Sequence, residues 1–335
     1  MMQADSTRAV RWGVISTAKI GREQVIPAIK ASRNGYVAAI ASRDADKARA
    51  FAAELGIERS YDSYEALLAD PEIDAIYNPL PNDGHAPWSI AAIKAGKHVL
   101  VEKPMAMDAA ETRTMIDAAQ AAKVLLAEAF MYRFHPQHAR VRELIAAGEI
   151  GQPNLISAEF TYAMAESVTD NVRLKPELGG GGLWDVGCYC VNAIRLISGR
   201  EPQSVSGYAV VGRSGVDESF VGILRLPDGM LAHFACGMRS HNTQQYVISG
   251  TNGSITVDLP FRPDDNSPTL KLIRHDQTTL ITVPVANQYV LMVEDFAAAI
   301  LDKRAPRYSA EDGYQNMRVL DALAQSAREG RQVAL

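Results

Sequence analysis

Between Arg11 and Glu128 short apolar runs alternate with stretches of helical periodicity, and this rhythm narrows the fold more than any other feature of the chain. Residues 12–16, 37–41, 75–77, 98–101 and 124–127 read as strands, and residues 19–31, 45–55, 85–95 and 108–121 as helices, with 63–68 a further element of the series between 45–55 and 75–77. Several of the runs are apolar throughout rather than at every second position, which predicts strands buried on both faces. That is a parallel sheet with helices on either side, a doubly wound α/β unit. Asp108 and Glu111 stand at capping-box spacing before the last of these helices.

The pattern changes after Pro136. One more helix ends at Gly148, and then alternating strands are expected at 155–162, 219–226, 230–236, 246–249 and 254–257. Asp228-Gly229 and Asn252-Gly253 are hairpin signals, so this half predicts a largely antiparallel sheet with one face on helices such as 188–198. Helical periodicity returns at 289–301 and 310–328. A chain of 335 residues, 47% hydrophobic, can bury two cores, and the division expected is 1–130 and 131–335.

A formal charge of −5, with acids and bases interleaved, leaves no basic footprint for nucleic acid or anionic lipid. Cys188, Cys190 and Cys236 form neither a disulfide framework nor a metal set, and no metal site is expected. Residues 1–9 are short and polar, and no run of about 18 apolar residues occurs. The expectation is a cytoplasmic protein, bound to no membrane, that works on a small molecule.

Gly13 to Gly21 lies at the first strand-to-helix junction, with Ser16, Ala18 and Gly21 at the three glycine places of G-x-G-x-x-G. Small residues there let backbone approach a pyrophosphate, so Ser16, Thr17, Ala18, Lys19 and Ile20 are candidate dinucleotide contacts. At the end of the second strand stand Ser42 and Arg43, where an acid would select the ribose hydroxyls of NAD. A lone arginine is ordinarily a solvated surface charge. Here a hydroxyl and a guanidinium at the strand tip, with Lys47 beyond, suit a 2′-phosphate; NADP(H) is the expected cofactor, with NAD(H) as the lesser alternative.

Glu102-Lys103-Pro104 puts a lysine at the carboxyl end of a buried parallel strand, where ligands sit in open α/β sheets, and proline after it holds Lys103 extended. Such a lysine can equally reach for solvent. Four glycines, 179–182, then lead into a helix in which Asp185 and Tyr189, four apart, share a face. An acid and a phenol together can hold a substrate hydroxyl and move its proton. A phenol titrates near about 10, and a neighbouring ammonium such as Lys103 brings it toward neutrality. The bland alternative for Tyr189 is an aromatic packed in a core.

Pro81-Asn82 followed by His85, then Ala95 to Val99, Glu102-Lys103-Pro104 and Gly180 to Tyr189 together resemble the Gfo/Idh/MocA oxidoreductase family over nearly the whole chain. They are most similar to its branch of dimeric dihydrodiol dehydrogenase, NADP-dependent D-xylose dehydrogenase, glucose-fructose oxidoreductase and nucleotide-sugar 3-ketoreductases. The resemblance implies a Rossmann domain followed by an α+β domain whose open-faced, predominantly antiparallel sheet serves oligomerisation, as a homodimer or homotetramer, with the active site between the two. It implies that Lys103 is the catalytic lysine, that Asp185 and Tyr189 bind and protonate the substrate, and that Arg133 joins Lys103, Asp185 and Tyr189 in holding it. It also places cofactor contacts at Pro79, Leu80, Asn82, His85, Glu102 and Lys103. Ser16 and Ala18 depart from the family's glycines.

The function so implied is NADP(H)-dependent hydride transfer at a secondary alcohol or carbonyl of a sugar or related polyol, such as an aldose or a trans-dihydrodiol. Two readings compete with it: reduction of a keto group on a nucleotide-linked sugar, which the stretch 130–138 also resembles, and a non-catalytic dinucleotide or sugar sensor on the same fold. A sensor is expected to lose the lysine or the acid and phenol, and all three residues are present.

Overall fold

The six-stranded sheet that the alternation calls for is formed by β1 (Val10–Ile15), β2 (Gly35–Ala41), β3 (Arg59–Tyr61), β4 (Ala75–Asn78), β5 (His98–Val101) and β6 (Leu126–Glu128). Its order is β3-β2-β1-β4-β5-β6 with every neighbouring pair parallel. The computed structural model describes residues 9–263, 268–275 and 277–335. The chain winds outward from β1 to β3, then returns to lay β4 on the other side of β1. The strand order therefore reverses between β1 and β4, the place where doubly wound sheets bind ligands.

Helix boundaries follow their caps. Asp44, Ser63 and Asp108 each accept a backbone N–H two or three residues into the helices Ala45–Leu55, Tyr64–Ala69 and Ala109–Ala122. The Glu111 carboxylate reaches back to the amide of Met107 rather than of Asp108, one residue beyond the usual capping box. The helix expected at 19–31 is a wider π-turn over Gly21–Val25 that tightens into Ile26–Ala31.

Contacts divide the chain into two compact units. The first gathers the described residues up to Met131 with Asn287–Tyr314; the second gathers Tyr132–Ala286 with Gln315–Leu335. A boundary at 130/131 assigns 287–314 to the second domain, whereas its contacts are with the first. The helix Gln288–Leu301 lays Phe296 against Trp12 of β1, ring centroids 5.7 Å apart, and the Glu294 carboxylate takes the guanidinium of Arg33.

In the second unit β7 (Pro153–Ala163), β8 (Ser204–Val211), β9 (Asp217–Arg225), β10 (Leu231–Gly237), β11 (Arg239–Gly250), β12 (Gly253–Asp258), β13 (Thr269–Arg274), β14 (Gln277–Thr282) and β15 (Val333–Ala334) make one sheet. Its order is β14-β13-β12-β11-β7-β10-β9-β8-β15, antiparallel except where β7 runs beside β10. Asp228 and Gly229 (φ 58° and 77°) make the left-handed hairpin turn their types predict between β9 and β10. Asn252-Gly253 turns the next hairpin without positive φ; there the glycine admits the Ile273 carbonyl of β13, which a Cβ would overlap.

Burial separates the two faces of this sheet. Phe220 and Leu224 of β9 are buried, while Val221, Ile223 and, on β8, Tyr208 at 69% exposure lie on the opposite, open face. Among the described residues no helix is long and apolar enough to cross a membrane.

Candidate active site

In the first unit the expected cofactor residues gather at the carboxyl ends of the parallel strands. Ser16, directly after β1, takes φ 70°, a conformation that usually selects glycine, and its Oγ accepts the Ala18 amide at 3.3 Å. The Ser16 amide in turn donates to the Ala41 carbonyl of β2. Thr17, Ala18 and Ile20 are half-buried, and Lys19 is exposed and 3.7 Å from Glu23.

At the tip of β2, Ser42 is buried and its Oγ accepts the Asp44 amide. The Asp44 carboxylate turns into its helix as a cap and draws the Lys47 ammonium to 3.7 Å. Arg43 is exposed and has no carboxylate partner among the described residues. It lies beside Tyr64, whose phenol burial holds above its ordinary value while the guanidinium pulls the other way. The small open turn after β1 and the exposed guanidinium at the tip of β2, with the Asp44 carboxylate engaged as a helix cap, fit a dinucleotide with a 2′-phosphate.

The ends of β4 and β5 are tied together by side chains. Glu102 accepts the Tyr77 hydroxyl at 2.7 Å, and its amide donates to the Asn78 carbonyl. His85 is fully enclosed, Nδ1 2.8 Å from the Pro104 carbonyl and Nε2 2.8 Å from that of Leu80. Burial pushes its pKa down to about 4, with the Lys103 charge adding to the effect against the two carbonyls. His85 therefore pins the segment after Lys103 to the segment after Pro79. The Lys103–Pro104 peptide bond is cis. Asn82 begins a single turn before the helix His85–Lys94, with Pro79 buried and Leu80 half-buried before it.

In the second unit Asp185 lies in a wide turn, Leu183–Gly187, that runs into the helix Cys188–Ser198 carrying Tyr189. The expected shared face exists, and β7 receives it. One oxygen of Asp185 accepts the Tyr162 hydroxyl and the Nε of Arg173, both at 2.7 Å. Tyr189 packs its ring on Phe160, centroids 5.4 Å apart.

Two donors on one oxygen suit an ionised carboxylate. The Arg173 guanidinium is held above its ordinary value first by the Asp185 charge, and burial, then that same charge, lift the Tyr162 phenol. Both neighbours keep their protons. Asp185 is thus arranged to accept hydrogen bonds.

Tyr189 is also an aromatic in a packed cluster, 6% exposed, against Tyr132, Phe160 and Phe261. Phe261 is fixed from behind, since the carbonyl of Pro260 accepts the side-chain Nε2 of Gln137 at 2.9 Å and faces Nε2 of His138. In the sequence the loop 261–268 is a candidate for substrate specificity, and residues 264–267 of it lie outside the described residues. Arg133, expected near the substrate, is buried in the turn Met131–Phe134.

The glycine run meets protein rather than open space. A Cβ on Gly180 would crowd the Arg173 carbonyl, and one on Gly181 the carboxylate of Asp217. Arg173, Tyr162, Asp217 and Tyr77 were not singled out in the sequence, where each stands in a loop or strand without a motif. Among the described residues no group of three or more His, Cys, Asp or Glu could hold a metal, and the three cysteines are free and buried.

Residues 10–130 match the model of an oxidoreductase family with an NAD-binding Rossmann fold, and residues 138–256 that of the GFO/IDH/MocA C-terminal domain. The chain belongs to the Gfo/Idh/MocA oxidoreductase family. Within the Gfo/Idh/MocA proteins it is 39% identical over 325 residues to D-xylose 1-dehydrogenase (NADP(+)) 2 of Haloferax volcanii, covering 97% of this chain and 99% of that one. It is 36% identical over 258 residues to trans-1,2-dihydrobenzene-1,2-diol dehydrogenase of Xenopus laevis, covering 74% and 75%. The crystal structure of KijD10, a 3-ketoreductase from Actinomadura kijaniata in complex with NADP and TDP-benzene, superposes with a TM-score of 0.91 at 31% identity, covering 95% of this chain and 98% of that one.

Proposed function

We propose that this Gfo/Idh/MocA protein is an NADP(H)-dependent oxidoreductase acting on a secondary alcohol or carbonyl of a sugar or related polyol. The observation that carries the reading is that Asp185 and Tyr189 both turn to β7, the carboxylate held by the Tyr162 hydroxyl and the Arg173 guanidinium and the phenol ring packed on Phe160. The names of its relatives support sugar-like substrates and NADP. In the reductive direction the Tyr189 phenol gives its proton to the carbonyl oxygen, and in the oxidative direction its phenolate takes the hydroxyl proton back; the Lys103 ammonium stabilises the oxygen as its charge develops, and Asp185 accepts a hydrogen bond from a second substrate hydroxyl. The dinucleotide, when bound, accepts or supplies the hydride. Ser16, Ser42 and Arg43 are the residues proposed to hold it, together with Thr17, Ala18, Lys19, Ile20, Lys47, Pro79, Leu80, Asn82, His85 and Glu102.

A second reading, reduction of a ketone on a nucleotide-linked sugar, is favoured by the likeness to the 3-ketoreductase. Initial rates with pentoses, hexoses and a trans-dihydrodiol, each with NADP⁺ and NAD⁺ and followed at the absorbance of the reduced nicotinamide, separate the two. Turnover of a free sugar or diol supports the first; turnover confined to nucleotide-linked ketosugars replaces it with the second.

We also propose a cytoplasmic homodimer or homotetramer. Tyr208, Val210, Val221, Ile223 and Leu231 lie exposed on adjacent strands β8, β9 and β10, a contiguous apolar face that a second copy of the same sheet would cover. Three free, buried thiols are compatible with a reducing compartment.

A further inference from the structure

Asp217 is the first residue of β9, and its carboxylate is turned inward beneath the glycine run. Its Oδ2 accepts the Leu183 amide at 2.7 Å, and the amides of Gly182 and of Asp217 itself stabilise its charge as well. Leu183 opens the wide turn that carries Asp185, and the helix of Tyr189 follows directly. A Cβ on Gly181 would overlap Oδ1, and one on Gly182 would stand 3.3 Å from Oδ2 and 3.2 Å from the Cα of Gly237. The glycines thus exist so that the chain can close over this one side chain.

The amides at the start of a helix have no partner within it, and an acceptor supplied from outside decides where the first turn sits. No side chain of the preceding segment does so here, since Gly182 stands at the cap position. The acceptor comes instead from a strand 34 residues further along. On the other flank the Asp185 carboxylate is drawn toward Arg173 and Tyr162. The turn is therefore fixed at its first amides by Asp217 and at its carboxylate by Arg173, and the helix axis that aims Tyr189 is set between them.

We propose that Asp217 is a positioning residue for substrate handling: it anchors the first turn of the helix that presents Asp185 and Tyr189, without touching substrate or cofactor. The charged groups around it are Glu218, paired with Arg239 at 2.8 Å, and Asp185, paired with Arg173; the thiol of Cys236 on β10 also faces it. None of these donates to the Asp217 carboxylate, so its hold on the turn is through backbone amides.

The kinetic arm rests on the function proposed above; the exchange arm does not. Asp217→Ala removes the acceptor, and Asp217→Asn keeps an oxygen at the same place without the charge. Each is compared with the unmodified chain in hydrogen exchange over residues 181–187, in the dissociation constant for NADP⁺, and in kcat and KM with D-xylose. The expected result for Asp217→Ala is at least tenfold faster exchange in that segment and a kcat/KM at least tenfold lower, with NADP⁺ affinity within about twofold. Asp217→Asn is expected to restore exchange and turnover to within about threefold. Should Asp217→Ala not fold, Asp217→Ser, whose shorter hydroxyl cannot span the gap, takes its place.

Unchanged exchange over 181–187 in the alanine or serine variant overturns the proposal. So does an equal loss of NADP⁺ affinity and turnover that asparagine fails to rescue, because that is what general destabilisation produces. If the unmodified chain does not oxidise D-xylose, the functional reading fails for that sugar, and exchange alone still decides whether Asp217 anchors the turn.

Discussion

The hydroxyl of Tyr162 donates to the carboxylate of Asp185 at 2.7 Å, joining β7 to the turn ahead of the Tyr189 helix. The same oxygen also takes Nε of Arg173. With both donors in place the carboxylate is held in one orientation. Tyr162→Phe removes one donor of two and is expected to lower kcat/KM by about three- to tenfold, less than the ~1.5 to 3 kcal/mol of a full hydrogen bond to a charged group because Arg173 still holds the carboxylate. Asp185→Asn should cost more, and chiefly in KM, because an amide still fills the place but accepts more weakly. Wild-type kinetics in both variants would show that this carboxylate is a structural ion pair.

Burial of histidines predicts the acid limb of stability. Desolvation pushes His85 and His135 down to about 4 and His138 to about 3, all below the ordinary value of 6.5. A depressed folded-state pKa means that the unfolded chain binds the proton first. The stability these groups contribute is present above pH 6.5 and is lost as the pH falls toward 4. Asp217 has the opposite sign, since burial raises it to about 6, so its contribution is present below about pH 4 and lost as the pH rises through 6. Urea unfolding at several pH values near 5 should therefore show a net uptake of protons, larger in Asp217→Asn than in the unmodified chain. Stability that is flat between pH 7 and 4.5 would contradict the neutral, buried state of the histidines.

Much of this architecture is legible in the sequence where local signals suffice. Asp44 and Ser63 start helices because their side chains satisfy the first amides, and β5 reads as a buried strand because Val99, Leu100 and Val101 are apolar in succession. What is not legible depends on partners far apart in the chain. Asp217 and Leu183 meet across 34 residues, and Arg173 reaches Asp185 from a loop with no periodicity to mark it. The helix Gln288–Leu301 shows an apolar stripe, yet nothing in that stripe says that Trp12 of the first unit will receive it. Ser16 is a further case, since its positive φ is visible only in the fold.

The open face of the second sheet predicts assembly. Val221 and Ile223 point away from the core that Phe220 and Leu224 fill. Ile223→Asp with Val221→Lys places opposite charges on an exposed surface at little cost to the folded chain, and is expected to reduce a light-scattering mass of two or more chains to that of one. A single-chain mass for the unmodified protein at micromolar concentration would remove the proposed oligomer.

Cofactor choice turns on the tip of β2. The Asp44 carboxylate is engaged as a helix cap, and the exposed Arg43 guanidinium is the charge proposed to meet a 2′-phosphate. Two charge-assisted hydrogen bonds at about 1.5 to 3 kcal/mol each predict more than a tenfold preference for NADP(H) in kcat/KM. Arg43→Ala should erase most of it while changing NAD(H) kinetics little. Equal use of NAD(H) by the unmodified enzyme would overturn the assignment of Arg43 and leave hydride transfer standing.

The central claim is that Tyr189 moves the proton and Lys103 stabilises the charged oxygen in one hydride transfer. The most direct measurement is kcat for Tyr189→Phe and Lys103→Ala with NADP⁺ and the best sugar substrate, alongside the NADP⁺ dissociation constant. Each variant should lose at least about a hundredfold in kcat, the lower end of what a positioned acid or base contributes, with cofactor affinity largely kept. Near-normal turnover in both would contradict the account, and would return Tyr189 to the aromatic cluster of Tyr132, Phe160 and Phe261 as packing alone.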